Sequence, residues 1–195
     1  MPELAEVEFF RRRWDVGLNA PVARVLLHPT AGVFKSTSPS LLVQHLTGAT
    51  LLSSAASAKQ MLFRFSGDAW LGIHLGMTGE LTVQPADHAP LKSDHLVLVQ
   101  PDHTLVFTDP RMFGRVLFHH GPDAPDWWTS IAPAVLSPAF TIASITAFLR
   151  RRARTPIKPV LLMQEKFPGI GNWMADEILW RAALHPKRLA GSLTP

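Results

Sequence analysis

Residues 167–186, FPGIGNWMADEILWRAALHP, combine a glycine-rich turn with the start of a helix. Gly169 and Gly171 permit a tight turn and a close approach of the backbone. The residues that follow repeat apolar side chains at helical spacing, which predicts a helix with one apolar side. That side comprises Met174, Ile178, Leu179 and Ala182.

The same turn carries polar groups suited to an anion. Asn172 is placed to cap the helix and to offer its amide outward. Lys158 and Lys166 lie nearby in sequence, and the free N–H groups of a helix start attract anions. The turn fits either a clamp for DNA phosphate or an ordinary helical hairpin, and hairpins of this kind are common.

The C-terminal part of the chain is helical and basic. Residues 141–154 and the segment around KPVLLMQEK predict two further helices before the GIGN turn. Residues 145–195 hold nine Lys and Arg against three Asp and Glu, whereas residues 1–144 hold ten against twelve. This asymmetry indicates either a surface for a polyanion or a solvated helix face.

The N-terminal part predicts short strands joined by turns. MLFRF and AWLGIHL flank Gly67 and indicate a hairpin, HLVLV and TLVF indicate a second, and RVLFHH a further strand. Strands without intervening helices favour a sandwich or a barrel. We therefore expect a domain over 1–125, a proline-rich linker over 126–138 and a helical domain over 139–195.

The N-terminus, MPELAEVE, predicts a helix over residues 3–15 with Leu4, Val7, Phe10 and Trp14 on one face. Pro2 suits a position before the first turn, where its missing N–H costs nothing. The chain has no cysteine, so neither a disulfide nor a thiolate zinc site is expected within it. No signal peptide or membrane-spanning stretch is recognisable, which favours a cytoplasmic protein.

Two loops present large side chains between turn residues. Met77 lies in HLGMTGEL, residues 74–81, and Arg111 and Phe113 lie in TDPRMFGR, residues 108–115. Side chains of this kind can fill the gap left by a base extruded from DNA. Alternatively, Met77 and Phe113 pack inward and Arg111 pairs with Asp109.

Five separated stretches together resemble the formamidopyrimidine-DNA glycosylase and endonuclease VIII family. They are MPELAEVE, AKQMLFRF, HLGMTGEL, DPRMFGR and FPGIGNWMADEILWRAALHP, in the family's order and over essentially the whole chain. The resemblance implies an α+β fold, with an N-terminal helix and a β-sandwich followed by a helix-two-turn-helix domain. It also implies a monomeric, nucleoid-associated enzyme that acts on damaged or abasic double-stranded DNA.

The family's functional residues correspond to positions of this chain. By resemblance Pro2, freed by removal of Met1, is the nucleophile that forms a Schiff base, and Glu3 is the general acid and base. Glu6 matches a supporting acid, and Lys59 a catalytic lysine that also contacts phosphate. The resemblance assigns DNA contacts to Met77, Arg111, Phe113, Lys158 and Asn172.

The Met, Arg and Phe identities are typical of the formamidopyrimidine branch and favour oxidised purines as substrates. Endonuclease VIII-like action on oxidised pyrimidines and a non-catalytic damaged-DNA-binding module are the alternatives. A tautomerase using an N-terminal proline as a base ranks last, because it gives the GIGN part no role.

The sequence departs from the family pattern in three places. Ala5 replaces a proline, and Trp173, Met174, Ala183 and Leu184 vary around the GIGN motif. The family continues to a zinc finger, so one zinc is expected beyond Pro195 and no metal or other cofactor within this chain. Because the chain stops at what resembles a helix start, we expect it to be truncated and weakened in activity.

Overall fold

The computed structural model describes residues 2–193. Met1, whose removal the sequence analysis expects, lies outside the described residues. The chain divides into two compact units, one ending at Thr129 and the other beginning at Ser130. This boundary falls inside the stretch predicted as a linker.

The first unit contains two four-stranded antiparallel sheets. One sheet has the strand order β2-β3-β4-β8 and the other β1-β6-β7-β5. Their bounds are β1 Arg24–Leu27, β2 Leu51–Ser57, β3 Gln60–Phe65, β4 Ala69–His74, β5 Glu80–Pro85, β6 Asp94–Val99, β7 His103–Thr108 and β8 Arg115–His120. The unit also contains helices α1 Leu4–Arg13, α2 Pro39–Leu46 and α3 Asp126–Thr129.

The two sheets share one apolar core, so the α+β class and the sandwich expected from the sequence are confirmed. Phe63 from β3 and Phe107 from β7 are both completely buried in this core. Trp14, just after α1, packs against Phe63 with ring centroids 4.9 Å apart. Its indole N–H donates to the carbonyl of Thr82 at 3.1 Å, which satisfies the one polar atom of the side chain.

Helix α1 packs on this sandwich by the face that its periodicity predicts. Val7 is completely buried, and Phe10 packs against the core cluster. Beside this face the largely buried Arg11 forms ion pairs with Glu8 at 2.8 Å and with Asp15 at 2.9 Å. The helix is therefore held by its apolar face and by a local charge network.

The hairpins formed by β3 with β4 and by β6 with β7 agree with their predictions, as does β8. Sequence analysis did not delimit β1, β2 and β5, nor helix α2. Lys59 lies in the two-residue turn between β2 and β3, directly before the first residue of β3. Ala58 in that turn has a positive φ of 56°, a conformation that rarely occurs outside glycine and asparagine.

The second unit contains helices α4 Ile142–Arg151, α5 Ile157–Leu161 and α6 Asn172–Arg181. They surround a small core that includes Phe148, Val160 and Phe167. The face predicted for α6 is partly wrong. Ala175 and Leu179 are buried, whereas Ile178 is 39% exposed, because the helix turns a different edge toward this core.

Within residues 2–193 no helix has the length and apolar character needed to cross a membrane.

Candidate active site

Pro2 and Glu3 lie at the start of α1, and the first turn of this helix fixes their direction. Glu3 is the N-cap residue, and it forms a reciprocal capping box with Glu6. The Glu6 carboxylate accepts a hydrogen bond from the Glu3 backbone N–H at 2.9 Å. Glu3 is only 3% exposed and Pro2 is half-buried, whereas the Glu6 side chain lies on the surface. Glu6 therefore organises the helix start in this structure.

Lys59 extends the site from the neighbouring hairpin turn. Burial lowers the pKa of its ammonium group, and the negative charge of Glu3 acts in the opposite direction. The charge of Glu3 therefore reaches Lys59, although α1 and the β2–β3 turn are far apart in sequence. Folding brings the partly desolvated amine of Lys59 within electrostatic reach of the buried carboxylate of Glu3, the residue after Pro2.

His74 adds a third polar group that sequence analysis did not select. Its Nδ1 accepts a hydrogen bond from the Gly76 backbone N–H at 3.1 Å. Burial, and secondarily the positive charges of Arg115 and Lys59, lower the pKa of this imidazole to about 4. His74 is therefore neutral near pH 7 and carries its proton on Nε2, since Nδ1 accepts.

The loops at Met77 and at 109–114 present their large side chains to solvent. Met77 is 43% exposed and Phe113 is 54% exposed. The guanidinium of Arg111 lies 4.8 Å from the centroid of the Phe113 ring. The alternative in which Met77 and Phe113 pack inward is wrong.

Asp109 fixes both loops instead of pairing with the Arg111 side chain. This fully buried carboxylate accepts from the Thr78 hydroxyl at 2.7 Å and from the Gly114 backbone N–H at 2.7 Å. The Arg111 backbone N–H donates to it at 3.3 Å. His95 Nε2 lies 2.7 Å from the Asp109 carbonyl oxygen and holds the backbone there. One carboxylate therefore sets the position of three exposed side chains.

Two predicted DNA contacts lie in the second unit. The Lys158 ammonium is 2.7 Å from a carboxylate oxygen of Asp176. The expectation that Asn172 caps α6 is wrong, because Gly171 occupies the N-cap and Asn172 is the first helical residue. The Asn172 side chain is exposed at this helix start.

The first unit thus brings Glu3, Lys59 and His74 together at one end of a sheet, with Arg115 beside them. His74 is the last residue of β4 and Arg115 is the first residue of β8. A polar residue at either end of an apolar strand is the signal that could have identified them. Asp109 gave no such signal, because its contacts arise from two loops about thirty residues apart.

Comparisons with known proteins match both units of the chain. The profile described as Formamidopyrimidine-DNA glycosylase N-terminal domain matches residues 1–116, and the profile described as Formamidopyrimidine-DNA glycosylase H2TH domain matches residues 131–195. Proteins named formamidopyrimidine-DNA glycosylase from Roseiflexus sp. and Geobacter sulfurreducens are 41% and 39% identical. Each match covers 100% of this chain and 71% of the relative.

Solved structures of the Lactococcus lactis enzyme Fpg are similar as well. Its complex with DNA containing an abasic site matches with a TM-score of 0.88 and 27% identity, over 98% of this chain and 71% of that one. Its complex with DNA containing an oxidised pyrimidine matches with a TM-score of 0.89 and 28% identity, over 99% of this chain and 73% of that one. The chain belongs to the formamidopyrimidine-DNA glycosylase family.

Proposed function

We propose that this chain is a bifunctional DNA glycosylase and abasic-site lyase of base excision repair that uses Pro2 as its nucleophile. Family membership supports the reaction class. The observation that carries the chemistry is the buried Glu3, which directly follows Pro2 and acts electrostatically on Lys59.

The reaction begins when the Pro2 nitrogen, freed by removal of Met1, attacks C1′ of the damaged nucleotide. The bond from C1′ to the base breaks, and the base leaves with that electron pair and a proton. Glu3 protonates the ring oxygen as the sugar opens, which produces an iminium between Pro2 and C1′. Loss of a C2′ proton expels the 3′ phosphate, a second elimination expels the 5′ phosphate, and water releases the amine.

The Pro2 amine reacts in its neutral form. An α-amine has a pKa of about 8, so a minor fraction is neutral and nucleophilic at pH 7. A secondary amine yields an iminium that keeps its charge, and this charge accepts electrons during both eliminations.

The exposed side chains of the two loops are suited to a DNA duplex from which one nucleotide has been extruded. We propose that Met77 and Phe113 fill the space left by the extruded nucleotide and that Arg111 hydrogen-bonds the unpaired cytosine. Lys59, Lys158 and Asn172 bind backbone phosphates in this proposal. Lys158 exchanges its ion pair with Asp176 for a phosphate.

Oxidised purines such as 8-oxoguanine and formamidopyrimidines are the proposed substrates, because Met77, Arg111 and Phe113 have the identities typical of that branch. Oxidised pyrimidines are the second candidate. They are supported by the similar structure of Lactococcus lactis Fpg in complex with oxidised-pyrimidine DNA.

Three further expectations stay predictions. These are the zinc in a segment after Pro195, the association with the nucleoid and the monomeric state. Among residues 2–193 no group of three or more His, Cys, Asp or Glu side chains is placed to hold a metal ion.

Borohydride trapping on DNA with an abasic site tests the nucleophile. Protein lacking Met1, verified by intact mass, is expected to form a covalent adduct, and Pro2→Gly to lose most of it. Glu3→Gln is expected to keep DNA binding while slowing cleavage. Binding without any adduct by the processed wild-type chain contradicts the catalytic proposal and favours a non-catalytic module.

Cleavage of 8-oxoguanine opposite cytosine, compared with thymine glycol opposite adenine, tests the substrate. A faster rate on 8-oxoguanine is expected. The reverse order contradicts the assignment to oxidised purines and leaves the role of Pro2 intact.

A further inference from the structure

Arg115 lies within the candidate site, but it is not among the residues to which a catalytic or DNA-binding role is assigned above. It is the first residue of β8 and pairs directly with His74, the last residue of β4. His74 pairs on its other side with Gln60, which follows Lys59. Directly paired residues of antiparallel strands project their side chains from the same face about 5 Å apart. Gln60, His74 and Arg115 are thus aligned across the sheet end. Lys59 adjoins them in the turn, and its charge and that of Arg115 both act on His74; Lys59, His74 and Arg115 are called the row below.

The row carries two positive charges, those of Lys59 and Arg115, because His74 is neutral near pH 7. Neither the Lys59 ammonium nor the Arg115 guanidinium has a hydrogen-bond or ion-pair partner among residues 2–193. Of the two nearby carboxylates, Glu3 acts electrostatically on Lys59. Asp109 is occupied by Thr78, Gly114 and Arg111. The Lys59 ammonium and the Arg115 guanidinium therefore keep donors that an anion can accept from.

Arg11, in the same unit, is an arginine whose contacts stabilise the fold, and it serves as a comparison for Arg115. That side chain is 12% exposed, pairs with Glu8 and Asp15, and donates to the Ser54 hydroxyl. Arg115 is exposed and unpaired instead, two residues after the exposed Phe113. A planar guanidinium fits a phosphate group through two parallel hydrogen bonds.

We propose that the guanidinium of Arg115 binds a DNA backbone phosphate together with Lys59 and the Nε2–H of His74. This inference rests on the proposed function, since it assumes DNA as the partner, but it adds a residue to which no role has been given. Arg115 also acts on His74 as a positioning residue. Its charge opposes protonation of the imidazole, so the Nε2–H stays the single N–H donor of this ring.

Two variants and a matched control test the proposal. Dissociation constants are measured for the 195-residue chain and a duplex with a tetrahydrofuran abasic analogue, between 50 and 200 mM KCl. Arg115→Ala is expected to weaken binding roughly tenfold and to reduce the slope of log K against log salt by about one. Arg115→Lys retains the charge, so the slope is kept while part of the affinity is lost.

Arg24→Ala is the control, because Arg24 is an exposed first residue of β1 in the other sheet. It is expected to leave the affinity within about twofold of the wild type. The proposal is overturned if Arg115→Ala keeps the wild-type slope and affinity, if Arg24→Ala weakens binding equally, or if the wild-type chain fails to bind the duplex.

An NMR titration of the His74 imidazole gives a readout that a general loss of charge does not reproduce. Arg115→Ala is expected to raise the pKa of His74, whereas Arg24→Ala leaves it unchanged; an unchanged pKa in Arg115→Ala overturns the positioning role. Comparing the binding series with borohydride trapping of the chain that has Pro2 intact and Met1 removed separates the two proposals. Absence of that adduct with a retained Arg115 effect limits the failure to the chemistry, and an adduct without an Arg115 effect limits it to Arg115.

Discussion

Gly76 lies against the backbone of Gly114, so closely that a Cβ atom on Gly76 would be 2.5 Å from the Gly114 nitrogen. It would also be 2.5 Å from the carbonyl carbon of Phe113. The loop of Met77 and the loop of Arg111 and Phe113 therefore touch through their backbones, at a position where only glycine fits. The two loops behave as one rigid part of the site.

Gly76→Ala is expected to separate these loops. The residue has a φ of 66°, so alanine adds backbone strain of about 1 kcal/mol, and the contact with Gly114 raises the total loss to about 3 kcal/mol. Gly67→Ala is the matched control, because Gly67 has a φ of 69° and nothing within 4 Å of an added Cβ. Urea unfolding compares the two, and equal losses of stability contradict the close contact.

Thr78→Val is expected to loosen the loops without changing their shape. It removes the hydroxyl that donates to Asp109, which costs about 1–2 kcal/mol for a hydrogen bond to a buried carboxylate. Thr82→Val is the control, since the buried Thr82 hydroxyl has no hydrogen-bond partner among the described residues. That substitution is expected to be neutral or stabilising. Thermal unfolding and affinity for abasic DNA measure both variants, and a more harmful Thr82→Val refutes the expectation.

Stability is expected to fall on mild acidification because of His74. The native pKa of about 4 lies below the ordinary value of 6.5, so between these pH values the unfolded chain binds a proton that the native chain does not. The contribution is fully present above pH 6.5 and is lost as the pH falls toward 4, by at most about 3 kcal/mol. His74→Asn, which keeps an acceptor for the Gly76 N–H, is expected to unfold with a smaller change between pH 7 and 5. An equal pH dependence in both proteins excludes His74 as the source.

Asp176→Asn is expected to tighten binding to abasic DNA, because it releases Lys158 from its 2.7 Å ion pair. Removing any acidic charge strengthens binding to DNA, so the affinity of this variant must be compared with that of a variant that loses a neighbouring carboxylate. Glu177→Gln makes the same change in charge on the same helix, where Glu177 pairs with Arg181. Anisotropy titrations are expected to show a several-fold larger gain for Asp176→Asn; equal gains indicate that Lys158 makes no phosphate contact.

Ala183→Gly is expected to stabilise the second unit by about 1 kcal/mol. Ala183 follows α6 with a φ of 52°, and the hydrogen bonds from Leu184 to Leu179 and from Ala183 to Trp180 complete a Schellman motif that favours glycine here. Ala182→Gly, one residue earlier in helical conformation, is expected to destabilise by about 0.5–1 kcal/mol. Calorimetry that gives both variants the same sign contradicts this account.

Sequence reasoning identified the elements whose signals are local. The α1 face and the hairpin around Gly67 follow from periodicity and turn chemistry, and both agree with the structure. The short strand β1 was missed because four residues carry too little periodicity. The buried face of α6 was predicted incorrectly because the small core of the second unit decides which side of the helix is covered. That core buries Ala175 and Leu179 and leaves Ile178 exposed.

The residues of the candidate site likewise fall into those with a local sequence signal and those without one. The quoted motifs pointed to Pro2, Glu3 and Lys59, and folding brings the charge of Glu3 to Lys59. Asp109 and Arg115 depend on partners in other strands and loops, so their contacts cannot be derived from spacing along the chain. A single sequence therefore gives the weakest signal for residues whose role is to position other residues.

The capping box at the start of α1 bears on how the proposed nucleophile is oriented. A serine or lysine side chain reaches its target by rotating about several single bonds, and packing around that side chain selects the rotamer. The nitrogen of Pro2 belongs to the main chain and to a closed ring, so only rotation about its own Cα–C bond redirects it relative to Glu3. The backbone of Glu3 is held in turn by the Glu6 carboxylate, which accepts its N–H at 2.9 Å. In the proposed reaction a surface glutamate thus helps to set the angle of attack.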